Sequence, residues 1–157
     1  MSGTAVERSF PLRWNEAAAL QQEMHQAYES LQSCFREMEE VLSRPTFDAG
    51  ALTSIRLKLA GLRLTRGPLI TRIALALAGH VNAEEAEMLA QLRASHQKLL
   101  QTATAHTSKW TLDAIGRQWS RYRDETRELM RQWMKKAERE QELVYPLVRR
   151  CVEPSTH

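Results

Sequence analysis

The sequence predicts an all-α chain folded as an antiparallel, up-down-up-down bundle of four long helices. Apolar residues recur at alternating three- and four-residue spacing through four long stretches, the signature of one face of a 3.6-residue helix. Only six glycines are spread over 157 residues, and β-branched residues are few beside Ala, Leu, Glu, Gln and Arg, a composition that favours helix. The stretches are similar in length and joined by short connections, so consecutive helices must turn back on one another. No two-residue alternation and no Asn-Gly hairpin signal competes with this pattern.

The first helix is predicted from about Trp14 to Ser43, on the seam Leu20, Met24, Ala27, Leu31, Phe35, Met38 and Leu42. Arg44-Pro45 ends it, because the residue before a proline is pushed out of the α region. The second begins after Asp48 as N-cap and carries Leu52, Ile55, Leu59 and Leu62 up to Gly67-Pro68. There the proline removes a helical hydrogen bond, which predicts a kink or a short break. The pattern resumes at Ile70, Ile73 and Leu77 and stops at Gly79.

Asn82 and Glu85 have the spacing of a capping box and open a third helix with the seam Leu89, Leu92, His96, Leu99, Ala103, His106 and Trp110. After a connection through Thr111 to Asp113, a fourth helix follows Ile115, Trp119, Tyr122, Thr126, Leu129, Trp133, Lys136, Glu140, Leu143 and Leu147, with no break expected. The first three helices each come to about 30 residues, roughly 45 Å. Residues 1–12 and 151–157 read as tails around one domain spanning 13–150.

A net charge of +3 is too small to imply a nucleic-acid partner, but its distribution is uneven. No acidic residue lies between Asp48 and Glu84, where Arg56, Lys58, Arg63, Arg66 and Arg72 fall, while the preceding helix carries Glu16, Glu23, Glu29, Glu37, Glu39 and Glu40. An acidic helix beside a basic one accounts for both through pairing within the chain. Arg117, Arg121, Arg123, Arg127 and Arg131 alternate with Asp124, Glu125 and Glu128, which reads as a solvated, self-paired face. Cys34 and Cys151 match no metal spacing and are too few for a disulfide framework, which points to a reducing compartment. Without an apolar leader or a run near the length that spans a bilayer, a cytoplasmic protein with no membrane partner is expected.

His96, His106, Lys136 and Glu140 interrupt the apolar seams, and a buried charge must be paired or bound to a metal. Lys136 and Glu140 stand one turn apart and can satisfy each other at an exposed bundle end. The two histidines read first as imidazoles bonded to a backbone carbonyl or to a hydroxyl such as that of Thr126. His25 falls on the first helix about 125° from the centre of its apolar stripe, near solvent. His80 and Glu84 share the i,i+4 spacing of a bundle metal site if the second helix continues through them; if Asn82 caps a new helix, a turn splits them.

Gln22-Glu-Met-His25, then Leu77-Ala-Gly-His80-Val-Asn-Ala-Glu84-Glu85, and finally Ala137-Glu-Arg-Glu140-Gln-Glu-Leu-Val-Tyr-Pro-Leu147 together resemble the hemerythrin-like, HHE cation-binding domains over residues 20–148. The resemblance implies a non-haem iron centre between the helices, serving dioxygen or nitric oxide sensing or iron handling, with His25, His80, Glu84, His96 and Glu140 as metal ligands. The chain departs from the family pattern at Lys136, where a histidine often stands one turn before the glutamate, and at Ala90, where a proline is expected. Folding the four helices about turns near 46, 81 and 112 sets His25 level with His96, but Glu140 level with Glu84. Those layers differ by roughly 18 Å, too far for one dinuclear centre. A complete di-iron site is therefore not expected, and partial metal binding stays open.

No phosphate loop, nucleophile elbow or Cys-His pairing is present, so an enzymatic role is not expected. Two readings remain: a divergent hemerythrin-like protein that holds iron, or a metal-free bundle of the same ancestry acting as a regulatory or protein-interaction module, with a protein partner or as a homodimer. A solvent-exposed Trp14 or Trp119 would favour the second.

Overall fold

A computed structural model describes residues 14–151, with side-chain surroundings from residue 16 onward. The predicted tail at 1–12, all of the predicted tail at 151–157 beyond Cys151, and the side chain of Trp14 lie outside the described residues. The described chain is helical almost throughout: α1 (Trp14–Leu42), α2 (Ala49–Leu77), α3 (Ala83–Lys109), the short α4 (Leu112–Arg117) and α5 (Trp119–Cys151). Among the described residues there is no strand, and no helix is long and apolar enough to cross a membrane.

The predicted helix starts form as their side chains dictate. Asp48 accepts a hydrogen bond from the Ala51 N–H at 3.1 Å, satisfying one of the orphan donors of α2. Asn82 and Glu85 make both halves of the capping box, at 2.8 and 3.0 Å. Asn82 therefore opens a new helix, which leaves His80 in the turn before it and Glu84 in its first turn. α2 runs from Ala49 to Leu77 without interruption, so the break expected at Gly67-Pro68 is absent. Pro68 lies on an exposed face, and so does Leu64, whose carbonyl loses its helical donor to the proline.

The expected single C-terminal helix is instead two, and five helices replace four. Gln118 leaves the helical region at φ −132°, ψ 52°, and its N–H closes on the carbonyls of Ala114 and Ile115. The break lets Trp119 turn onto the α1–α2 loop, where its indole N–H donates to the Arg44 carbonyl at 3.3 Å and its ring meets Phe47 at 5.7 Å. Trp119 is thus half-buried rather than exposed. At the other end, Cys151 is a buried member of α5 and not the first residue of a tail.

The long helices pack in the order α1, α2, α3, α5 and back to α1, with α2 also meeting α5 across the interior and α4 lying against α5. The Lys58–Glu37 and Arg72–Glu23 pairs tie α2 to α1 and show the two running antiparallel, which realises the predicted pairing of the basic and acidic helices. The arginine-rich face of α5 is likewise largely self-paired, through Arg121–Glu125 and Arg131–Glu128, with Arg127 reaching Glu39 on α1. Two apolar clusters fill the interior. One gathers Met24, Leu69, Ile73, Leu77, Leu89 and Val148. The other gathers Met38, Leu42, Leu52, Ile55, Ile115 and Tyr122. Between them lies a layer of charge.

Candidate functional site: a buried ion-pair layer

Glu140 is 1% exposed, in the interior rather than at a bundle end. One of its carboxylate oxygens accepts from Arg66 of α2 at 2.9 Å, and the other is held by the Lys136 ammonium one turn back on α5. Arg66 and Lys136 are themselves buried, so three charges share a water-poor layer and the two cations outnumber the one carboxylate. Burial costs each ion its hydration, and the offset comes from hydrogen-bonded pairing of opposite charges. Burial pushes the Lys136 ammonium below its usual pKa; Glu140 opposes that shift and Arg66 adds to it. Lys136 also lines a groove between α3 and α5 with Ser95, Gln132, Lys135, Arg139 and Glu142, which brings the layer close to the surface on that side.

His96 of α3 completes the layer. Its ring is 4% exposed, stands edge-on to Trp133 at 5.6 Å, and faces Gly67, where a Cβ would come within 3.3 Å of Nε2. A side chain at position 67 would therefore press on the imidazole. Among the described residues neither ring nitrogen has a hydrogen-bond partner, contrary to the carbonyl or hydroxyl expected for it. Burial depresses its pKa, the Lys136 charge lowers it further, Glu140 opposes and Arg66 again lowers it, so the ring is neutral near pH 7.

His106 behaves as predicted: Nε2 lies 3.1 Å from the Thr126 hydroxyl, and the ring stacks on Tyr122 at 5.6 Å. Beside it is a cavity of about 40 Å³ that Arg56, Arg63, Tyr122 and Thr126 also line. That space suits a water rather than an organic ligand.

The remaining predicted ligands stand elsewhere. His25 is exposed and pairs with Glu29 at 2.9 Å, in keeping with its position off the apolar stripe. His80 sits in the α2–α3 turn, thirteen residues beyond Gly67 and so roughly 20 Å along the helix direction from His96. Glu84 is exposed in the first turn of α3. Of the five candidates, then, His96 and Glu140 share a layer, while His25, His80 and Glu84 do not join them. Among the described residues no group of three or more His, Cys, Asp or Glu side chains is placed to hold a metal ion. The donor set does not fit a two-iron centre, because Glu140 is already engaged by two side chains that cannot ligate while charged.

Comparison with protein-family models, curated proteins and solved structures returns no match for this chain.

The expected register places Glu140 level with Glu84, and the structure corrects it. Contacts of His106 with Thr126 and of Lys109 with Glu125 set the pivot between α3 and α5 near position 116, not 112. The physical reason is α4, whose extra turns occupy the connection and slide α5 along α3 until Lys136 is level with His96. Arg66 is the functional residue that the sequence reading missed. The spacing Leu59, Leu62, Arg66, Leu69, Ile73 carries the three-four alternation straight through it, so the signal was present in the seam.

Proposed function

We propose that this chain is a metal-free member of the hemerythrin-like architecture, an antiparallel four-helix bundle with α2 bent at Pro68, that acts by binding a protein partner rather than by catalysis or iron chemistry. The observation that carries the reading is the capture of Glu140 between Arg66 and Lys136. A carboxylate available to a metal must face the ion with its lone pairs, and here both oxygens accept from cations. A further cation placed among them would meet an existing surplus of positive charge. The layer thus engages in ion pairs the buried carboxylate, Glu140, to which the resemblance assigns iron. Support for the interaction role comes from apolar side chains left outside the core on α2, Leu57 and Leu64 among them.

The test is iron loading. Purified protein is exposed to ferrous iron without oxygen, then to air, desalted, and measured by elemental analysis and for an oxo-bridge absorption band. Iron far below one atom per chain and no such band are expected. Close to two irons per chain would overturn the metal-free reading.

A further inference from the structure

The outer face of α2 is apolar where a surface helix should be polar. Leu57, Leu64 and Leu75 are 70%, 71% and 68% exposed, far beyond the other large apolar side chains described. Together with Gly61, Pro68 and Thr71 they fall within about 40° of one line along the helix, extending roughly 27 Å from Leu57 to Leu75. The core residues Ile55, Leu59, Ile73 and Leu77 lie on the opposite side of the same helix. α2 therefore presents two apolar faces, and neighbours within the chain cover only one.

The stripe is its own complement. A twofold axis level with Arg66 and perpendicular to α2 sets Leu57 of one copy against Leu75 of the second, Leu64 against Pro68, and Gly61 against Thr71. The small residues coincide, and nothing lies within 4 Å of a Cβ built on Gly61, so the backbones can approach there. The flanking charges obey the same symmetry. Lys58–Glu37 and Arg72–Glu23 lie on the α1 side of the stripe, and the axis brings the first pair of one copy level with the second pair of the other. The flank on the α1 side then holds equal numbers of cations and carboxylates, two pairs from the two copies. An isologous contact requires this kind of self-complementarity, whereas an anionic lipid surface would require unpaired cations.

We propose that the outer face of α2 is a homodimer interface, in which two copies pack α2 against α2 in antiparallel fashion about an axis level with Arg66. This rests on the reading of the chain as an interaction module and names its partner. The two have separate tests: iron uptake would overturn the metal-free reading and leave this interface untouched, and a monomeric chain would do the reverse.

Sedimentation equilibrium of the full chain at micromolar concentrations should give twice the 18.1 kDa of one chain. Leu64→Asp, beside the axis, should return the mass to that of one chain with helical circular dichroism unchanged. A second measurement holds if that variant fails to fold. Under mild oxidation, the double variant Leu57→Cys/Leu75→Cys should cross-link into covalent dimers, while Leu57→Cys alone should not, because the two copies of position 57 stand at opposite ends of the interface. Single-chain mass at every concentration, a dimer that survives Leu64→Asp, or cross-linking of Leu57→Cys alone would each overturn the proposal. So would binding of a monomeric chain to phosphatidylglycerol vesicles that Leu64→Asp abolishes, since the face would then belong to a membrane.

Discussion

Replacing Glu140 by glutamine keeps the shape of the side chain and removes the charge that holds the interior layer together. Arg66 and Lys136 would then be buried without a counter-ion, since among the described residues the acidic side chain paired with each of them is Glu140. Breaking a buried pair by removing one partner costs about 3–5 kcal/mol, a large share of the roughly 5–15 kcal/mol that holds a domain folded. With a urea slope near 2 kcal/mol per molar, Glu140→Gln should lower the unfolding midpoint by about 2 M, followed by far-ultraviolet circular dichroism. Lys136→Met tests the surplus positive charge. It leaves Arg66 and Glu140 balanced one to one, so its cost should stay under about 1 kcal/mol. The reasoning fails if Glu140→Gln moves the midpoint by less than about 0.5 M, or if Lys136→Met is as damaging as Glu140→Gln.

Other consequences are as direct. Burial lowers the pKa of both His96 and His106, so above their ordinary value of about 6.5 the folded and unfolded chains are alike neutral there, and below it only the unfolded chain readily takes the protons. Stability should therefore fall as pH drops through and below that value, and the double variant His96→Leu/His106→Leu should show a flatter urea midpoint between neutral and mildly acid pH. Gly67→Ala should gain none of the roughly 0.5–1 kcal/mol that alanine normally adds to a helix, because its Cβ meets His96; in a His96→Ala background the gain should appear, a coupling that a double-mutant cycle would detect. Asn82→Ala removes one half of the capping box and should cost about 1 kcal/mol, with faster amide exchange in the first turn of α3 and little change at its far end.

Much of the architecture was legible in the seams because local chemistry decides it. The all-helical class follows from the three-four spacing, and the starts of α2 and α3 follow from Asp48 and Asn82, whose side chains bond to their own helices. The same locality foretold the pairing of Lys136 with Glu140 and the outward turn of His25. The candidate site was less legible. Lys136 and Glu140 were visible as seam residues, but nothing in their spacing told an exposed end from a central layer. Arg66 lay in the pattern of α2 and was hidden by its place among other basic residues.

The sequence alone determined what is local: helix type, caps, and which side of each helix is apolar, since each depends on neighbours within about four residues. Only the tertiary structure decided the register, because that depends on how the chain between Trp110 and Trp119 is spent. A short helix there, released by the break at Gln118, slid α5 along α3 and brought Glu140 to Arg66 and His96 instead of Glu84. Which charges meet at depth is a property of distant segments in contact, so periodicity could name the buried groups but not their partners.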